Sequence, residues 1–190
     1  MKKVASIVFL SLLFITAHAQ DRGIGLRLGN PMGITYKKYL PKNKAVELGV
    51  GTGYTSWYHN YYENSFHDFD RYEGFDYVSH TVRTPLYLQA RYQLHNDIYI
   101  EGLIGKLEWY WGIGALMKVA NVDYRYRDNG VLITDRRTDF DFGPEGMLGM
   151  EYTFEDIPLT IFGEFSLVIE FADRPGALRG YSGVGARYNF

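Results

Sequence analysis

The chain has 190 residues, 46% of them hydrophobic and 17% aromatic, with a formal net charge of -2. That length suits one domain of ordinary size, and the near-neutral balance gives no footing for nucleic acid. There is no cysteine, which excludes disulfides, a thiolate metal site and a lipid-modified cysteine anchor.

At the amino terminus, Lys2 and Lys3 precede an apolar run from Val4 to Ile15 and the small-x-small sequence Ala17-His18-Ala19. This predicts a secretory signal peptide over 1–19, leaving 20–190 as the mature domain. The run is too short for a spanning helix, which needs about 20 residues. No later apolar run approaches that length, so a helical membrane protein is not expected.

From Arg22 the side chains alternate. Ile24, Leu26 and Leu28 share one parity with Gly23, Gly25, Arg27 and Gly29 on the other, and Asn30-Pro31 turns the chain. Gly33 to Leu40 gives a second strand, with Ile34 and Tyr36 on the apolar face and Thr35, Lys37 and Tyr39 opposite. Lys38 is a misfit on the apolar face, suited to a membrane edge where it can snorkel. After Pro41 to Lys44 a third strand is expected from about Ala45 to Tyr58, setting Val46, Leu48 and Val50 against Glu47, Gly49 and Gly51. His59 to Val78 is aromatic and acidic with no sustained period, and predicts a long loop.

Ser79 to Leu94 alternates most clearly, with Val82, Leu86, Leu88, Ala90 and Tyr92 against Arg83, Tyr87, Gln89, Arg91 and Gln93. His95-Asn96-Asp97 should end it, and a break is needed near Gly102 or Gly105 because the apolar parity changes before the next strand. Leu107 to Val122 sets Trp109, Trp111, Ile113 and Met117 against Glu108, Tyr110 and Lys118. Asp123 to Thr138 is charged around Asp128-Asn129-Gly130, as expected of a second long loop or protruding hairpin. Asp139 to Phe154 sets Phe140, Phe142, Leu148 and Met150 against Asp139, Asp141, Glu145 and Glu151. Leu159 to Phe171 sets Ile161, Phe165 and Leu167 against Glu164, Ser166 and Glu170. The closing strand Gly180 to Phe190 sets Val184, Ala186, Tyr188 and Phe190 against Gly183, Gly185, Arg187 and Asn189.

Eight strands adjacent in sequence, without crossover helices, predict an all-β, antiparallel up-and-down barrel. Alternation alone does not say which face is inside. The apolar face carries too much bulk for the interior of an eight-stranded barrel, so it is placed outside, in lipid. The polar face then fills the lumen. Its cations Arg27, Lys37, Arg83, Arg91, Lys118 and Arg187 are matched by Glu47, Glu108, Glu145, Glu151, Glu164 and Glu170. Balanced signs are what an enclosed polar core requires, since unpaired buried charges cost several kcal/mol. The barrel should be transmembrane, with its backbone groups paired internally as lipid demands.

The segments Gly23-Ile-Gly-Leu-Arg-Leu-Gly29, Trp109-Tyr-Trp-Gly-Ile-Gly-Ala115, Gly149-Met-Glu-Tyr-Thr-Phe154 and the terminal Tyr188-Asn189-Phe190 together resemble the small outer-membrane β-barrels of Gram-negative bacteria, the OmpA/OmpX-like class. The resemblance spans essentially the whole mature sequence. It implies the cell outer membrane, contact with its lipid and lipopolysaccharide, and insertion by the barrel-assembly machinery reading Tyr188 and Phe190 as the assembly signal. Because the sequence stops at Phe190, the resemblance is to a barrel domain without a periplasmic peptidoglycan-binding domain.

The leading functional expectation is a non-enzymatic barrel with a structural or surface-interaction role through loops 59–78 and 123–138. Loop 59–78 either offers exposed aromatic anchors or packs on itself as a lid. The alternative is a lipid-modifying enzyme or surface protease built on Ser79-His80 with Asp76 or Glu73, although adjacent strand residues face opposite ways. His59, His67 and His95 lack metal-cluster spacing, and Asp68-Phe69-Asp70 is too short for a calcium loop. No cofactor is expected, and an eight-stranded lumen predicts negligible conductance.

Overall fold

The computed structural model describes residues 21–53, 59–172 and 176–190. The expected signal peptide at 1–19 and the end of the third strand, 54–58, lie outside the described residues. Nine antiparallel segments form one sheet: β1 (Arg22–Asn30), β2 (Met32–Leu40), β3 (Lys44–Thr52), β4 (Asp76–Val82), β5 (Leu86–Ile98), β6 (Lys106–Asp128), β7 (Val131–Thr153), β8 (Leu159–Ile169) and β9 (Leu178–Asn189). Each pairs with its sequence neighbour, except that β4 and β5 follow one another along the same edge of β6. They act as one interrupted strand, and β9 closes on β1 from Gly23↔Asn189 to Asn30↔Ser182. The result is an eight-stranded up-and-down barrel, as the alternation predicts.

The faces are disposed as the bulk argument requires. Leu26, Ile113, Phe165 and Val184 point outward, more than half exposed, whereas Arg27, Lys37, Glu47, Arg91 and Arg187 are buried inside. Glycine on the lumen side makes room for that filling. A Cβ at Gly149 would lie 2.4 Å from Cζ of Tyr110, and one at Gly183 would lie 2.5 Å from Nε of Arg27.

Strand lengths are unequal. The nine residues each of β1, β2 and β3 match what a tilted strand needs to cross a bilayer. By contrast β6 and β7 each run for 23 residues. They continue past the barrel rim without a break in register, to Asp128↔Val131 and a two-residue turn at Asn129-Gly130. The segment expected as a loop or protruding hairpin at 123–138 is therefore a hairpin, and both turn residues hold the positive φ such a tight connection needs.

The segment 59–78, expected as an irregular loop, is structured. It forms α1 (His59–Asp68), a 3-10 turn (Asp70–Tyr72) and the start of β4. The helical spacing is there in Tyr62 and Phe66, but Ser65 and the surrounding Asn, Glu and Asp dilute it below recognition in sequence. The break expected near Gly102 or Gly105 also occurs: 99–105 lie between β5 and β6, with both glycines at positive φ.

Candidate functional site

The feature that organises the barrel is its charged interior. Eight of the expected residues meet at its centre. Arg91, on β5, reaches Glu47 at 3.0 Å and Glu145 and Glu164 at 2.7 Å. Arg27, on β1, pairs with Glu164 at 3.0 Å and donates to Gln89 Oε1 at 2.8 Å. Arg187, on β9, bridges Glu47 and Glu151, and Lys37, on β2, completes the group on Glu151 at 2.7 Å. Four cations thus face four carboxylates, drawn from seven strands. Each charge has an opposite charge beside it, and removal of any one would strand a buried partner.

Neutral groups finish the packing. Tyr39 donates to Glu151 at 3.0 Å, Tyr110 donates to Glu164 at 3.1 Å, and the Arg187 guanidinium lies 3.7 Å from the Phe162 ring centroid. This plug spans the interior between facing strands, as the narrow lumen of an eight-stranded barrel allows.

Three more expected residues lie at the ends. Lys118 and Glu170 sit toward the rim from which β6 and β7 extend. Lys118 pairs with Asp141 at 2.6 Å and Asp139 at 3.3 Å, and Glu170 pairs with Arg179 at 2.8 Å. Glu108 lies at the opposite end, bonded by Lys106 at 2.9 Å. Asp139, Asp141 and Arg179 were absent from the expected set although parity puts the two aspartates on the polar face; their place in sequence, beside the charged hairpin, hid the role.

Arg83 departs from expectation. Its side chain is 56% exposed and pairs with Asp123 on the outer face, 3.4 Å away. The reason is a register slip. Val82 pairs with Val122 and Leu86 with Val119, so four steps on β4–β5 match three on β6. One extra residue exchanges the two faces. Arg83 N–H still bonds Asn121 O at 2.8 Å, whereas Pro85 has no N–H to offer. Val82 and Leu86, alike in parity and character, thus point in opposite directions.

Beyond the rim, chemistry reverses. Val122, Tyr124 and Tyr126 face inward and pack with Tyr62, Phe66 and Tyr72, with Phe69, Phe75, Tyr77, Val82 and Ile133 at the margin. The Phe66 and Tyr72 rings stack at 4.5 Å, Tyr72 donates to Asp135 at 2.8 Å, and the Tyr62 ring lies 5.0 Å from Lys118 Nζ. The helix thereby caps the lumen charges. Of the two alternatives for 59–78, the lid is what forms: Tyr62, Phe66 and Tyr72 are buried and cannot serve as exposed anchors.

The Ser79-His80 pair does not assemble a nucleophile and its base. His80 faces the aromatic cap, with Nδ1 2.6 Å from the Tyr77 hydroxyl, while Ser79, the next residue along β4, pairs with the outward Arg125. At the other end of the barrel Tyr188 pairs with Ile24 and Leu159, and Phe190 donates its N–H to Arg22 O at 2.8 Å with its ring partly exposed.

The N-terminal β-barrel domain of Pseudomonas aeruginosa OprF superposes with a TM-score of 0.52 over 89% of this chain and 95% of that one, at 10% identity. This chain has the fold of the small eight-stranded outer-membrane β-barrels. Ail, the attachment invasion locus protein of Yersinia pestis, gives a TM-score of 0.48 at 11% identity, over 89% of this chain and 93% of its own. No family model matches the sequence, and no curated protein matches it. With so few residues shared, the likeness concerns the path of the backbone. The ion-pair plug and the aromatic cap are described from this chain's own side chains.

Proposed function

We propose that this protein is an integral outer-membrane barrel, exported by a cleaved segment at 1–19, with a closed lumen and a structural or surface-interaction role carried by the capped end. One observation carries the reading. The outward face changes character at paired positions on neighbouring strands: Val119 opposite Phe140 is the last apolar pair, and Asn121 opposite Thr138 is the first polar one. Beyond that level Asp123, Arg125, Arg127 and Arg136 stand on the outside. A change of side-chain chemistry at one height, with no change in hydrogen bonding, marks where lipid gives way to water.

In this reading the end holding Asp21 and Phe190 faces the periplasm and the capped hairpin faces the exterior. Lipopolysaccharide is the lipid partner that suits this orientation, because the exposed Arg125 and Arg127 would stand among its phosphates. Tyr188 and Phe190 serve as the signal for the barrel-assembly machinery.

The test is expression of the full chain in a Gram-negative host. Outer-membrane recovery, with migration on gels that changes on heating, is expected; recovery in the soluble periplasmic fraction would reject the reading. Reconstitution in planar bilayers should give negligible conductance, and stable openings would reject a closed lumen.

A further inference from the structure

At the end of the lumen opposite the cap, three buried side chains converge from successive strands: His95 of β5, Glu108 of β6 and Glu151 of β7. One ligand atom from each lies within 4.8 Å of the other two. Two features single this cluster out. Glu108 and Glu151 are direct cross-strand partners, like charges offset by Lys37 and Arg187 at Glu151 and by Lys106 at Glu108. His95 is 4% exposed, and neither ring nitrogen finds a hydrogen-bond partner among the described residues. Its ring is nevertheless held firmly, stacked on Tyr110 at 5.0 Å and edge-on to Tyr39 at 5.9 Å.

Two of the three separations are close to those of a ligand shell. His95 Nδ1 lies 3.6 Å from Glu108 Oε1 and 3.5 Å from Glu151 Oε1, too long for good hydrogen bonds. A tetrahedral ion with bonds of about 2.0–2.1 Å to nitrogen and oxygen sets its ligand atoms roughly 3.4 Å apart. We propose that His95, Glu108 and Glu151 bind one divalent transition ion of the zinc class. One imidazole and two carboxylates form a mixed nitrogen and oxygen set suited to zinc, and the fourth position is left for water.

Neighbouring groups supply the support such ligands need. Tyr39 and Lys37 hold the two oxygens of Glu151 at 3.0 and 2.7 Å. Lys106, half exposed, can release Glu108 and keep its other partner, Asp97, at 3.1 Å. Partners of this kind orient carboxylate ligands and tune their affinity. The bound ion would bridge the facing glutamates and tie β5, β6 and β7 together.

The full chain, refolded in detergent micelles and freed of metal by chelator, is titrated with Zn2+ by calorimetry and with Co2+ by visible absorption. One equivalent is expected, with the intense d–d bands of tetrahedral Co2+. His95→Gln and Glu108→Gln should each weaken binding by about 100-fold or more, beyond what loss of a supporting partner costs, while heat-modifiable migration persists. His67→Ala, on the exposed side of the cap, should leave it unchanged. The proposal is overturned by absence of saturable binding, by His95→Gln binding as tightly as the parent, or by binding that disappears with His67. Should His95→Gln fail to fold, Glu108→Gln with Co2+ decides alone, since its amide keeps the shape and removes the charge.

Discussion

The two halves of the β6–β7 hairpin share one uninterrupted ladder, from Lys106↔Thr153 to Asp128↔Val131, yet their faces carry opposite chemistry. In the barrel half, Trp111, Ile113, Phe140 and Phe142 point outward while Lys118, Asp139 and Asp141 point inward. In the half beyond it, Arg125, Arg127 and Arg136 point outward while Val122, Tyr124 and Tyr126 point inward. The backbone is indifferent to this exchange because strand pairing satisfies its polar groups in either medium. Side chains are not indifferent. Charge can be enclosed only where counter-charge surrounds it, and aromatic rings need a covering helix only where water lies outside. The direction of an amphipathic pattern therefore reports the solvent, not the fold.

The largest expected effect comes from the enclosed charges. Arg91→Met leaves Glu47, Glu145 and Glu164 short of their shared cation and should cost about 3–5 kcal/mol in urea unfolding from lipid vesicles. Arg136→Met, which removes a solvent-exposed pair with Asp123, should cost far less. Equal losses would mean that the lumen pairs are as wet as the surface ones.

Phe66→Ala should cost about 3 kcal/mol within the cap. Its effect should stay there: faster proteolysis between α1 and β4, with heat-modifiable migration of the barrel retained. A barrel that fails to insert would show that cap and barrel form one cooperative unit. Ile113→Arg, on the apolar belt, should destabilise the inserted protein by roughly 2–3 kcal/mol. The opposite exchange beyond the boundary, Arg125→Ile, should stay within about 0.5 kcal/mol. Similar values at both sites would place lipid and water elsewhere.

The smallest expected effects are in the pH dependence of the water-side half. Burial, with the Asp135 hydrogen bond adding to it, pushes the Tyr72 phenol up to about 12. A neutral phenol favoured by folding contributes fully below its ordinary value near 10 and loses that contribution as pH rises toward 12. Absorbance at the tyrosinate band should therefore lose one of its late-titrating groups in Tyr72→Phe. Asp123 is held below the usual carboxylate range, first by the hydrogen bond from Arg136. Its small contribution is present above the ordinary aspartate value, about 3.9, and fades as pH falls below it. Asp123→Asn should flatten the acid limb of cap proteolysis without touching the barrel.

Much of this was legible in residue order. The two-residue period located the barrel strands, and the bulk of the apolar face settled that it lies outside. The lumen charges followed from parity wherever the strand was regular. Arg83 was misplaced because a single added residue between Val82 and Leu86 exchanges the faces while leaving an apolar residue on either side. Helix α1 is hidden in the sequence because its inward Tyr62 and Phe66 are diluted by polar neighbours. His95 was set aside because its companions, Glu108 and Glu151, stand 13 and 56 positions along the chain.

By itself, then, the sequence determined the barrel, the side that is apolar and the matching of charge signs, since these depend on alternation that local backbone geometry imposes. Tertiary structure alone decided which charge meets which, that 59–78 folds inward over the lumen, and that a histidine and two glutamates from three strands converge. Closing a barrel brings together residues that no local period relates, and the contacts across its interior depend on strand register, which one residue of slippage is enough to change.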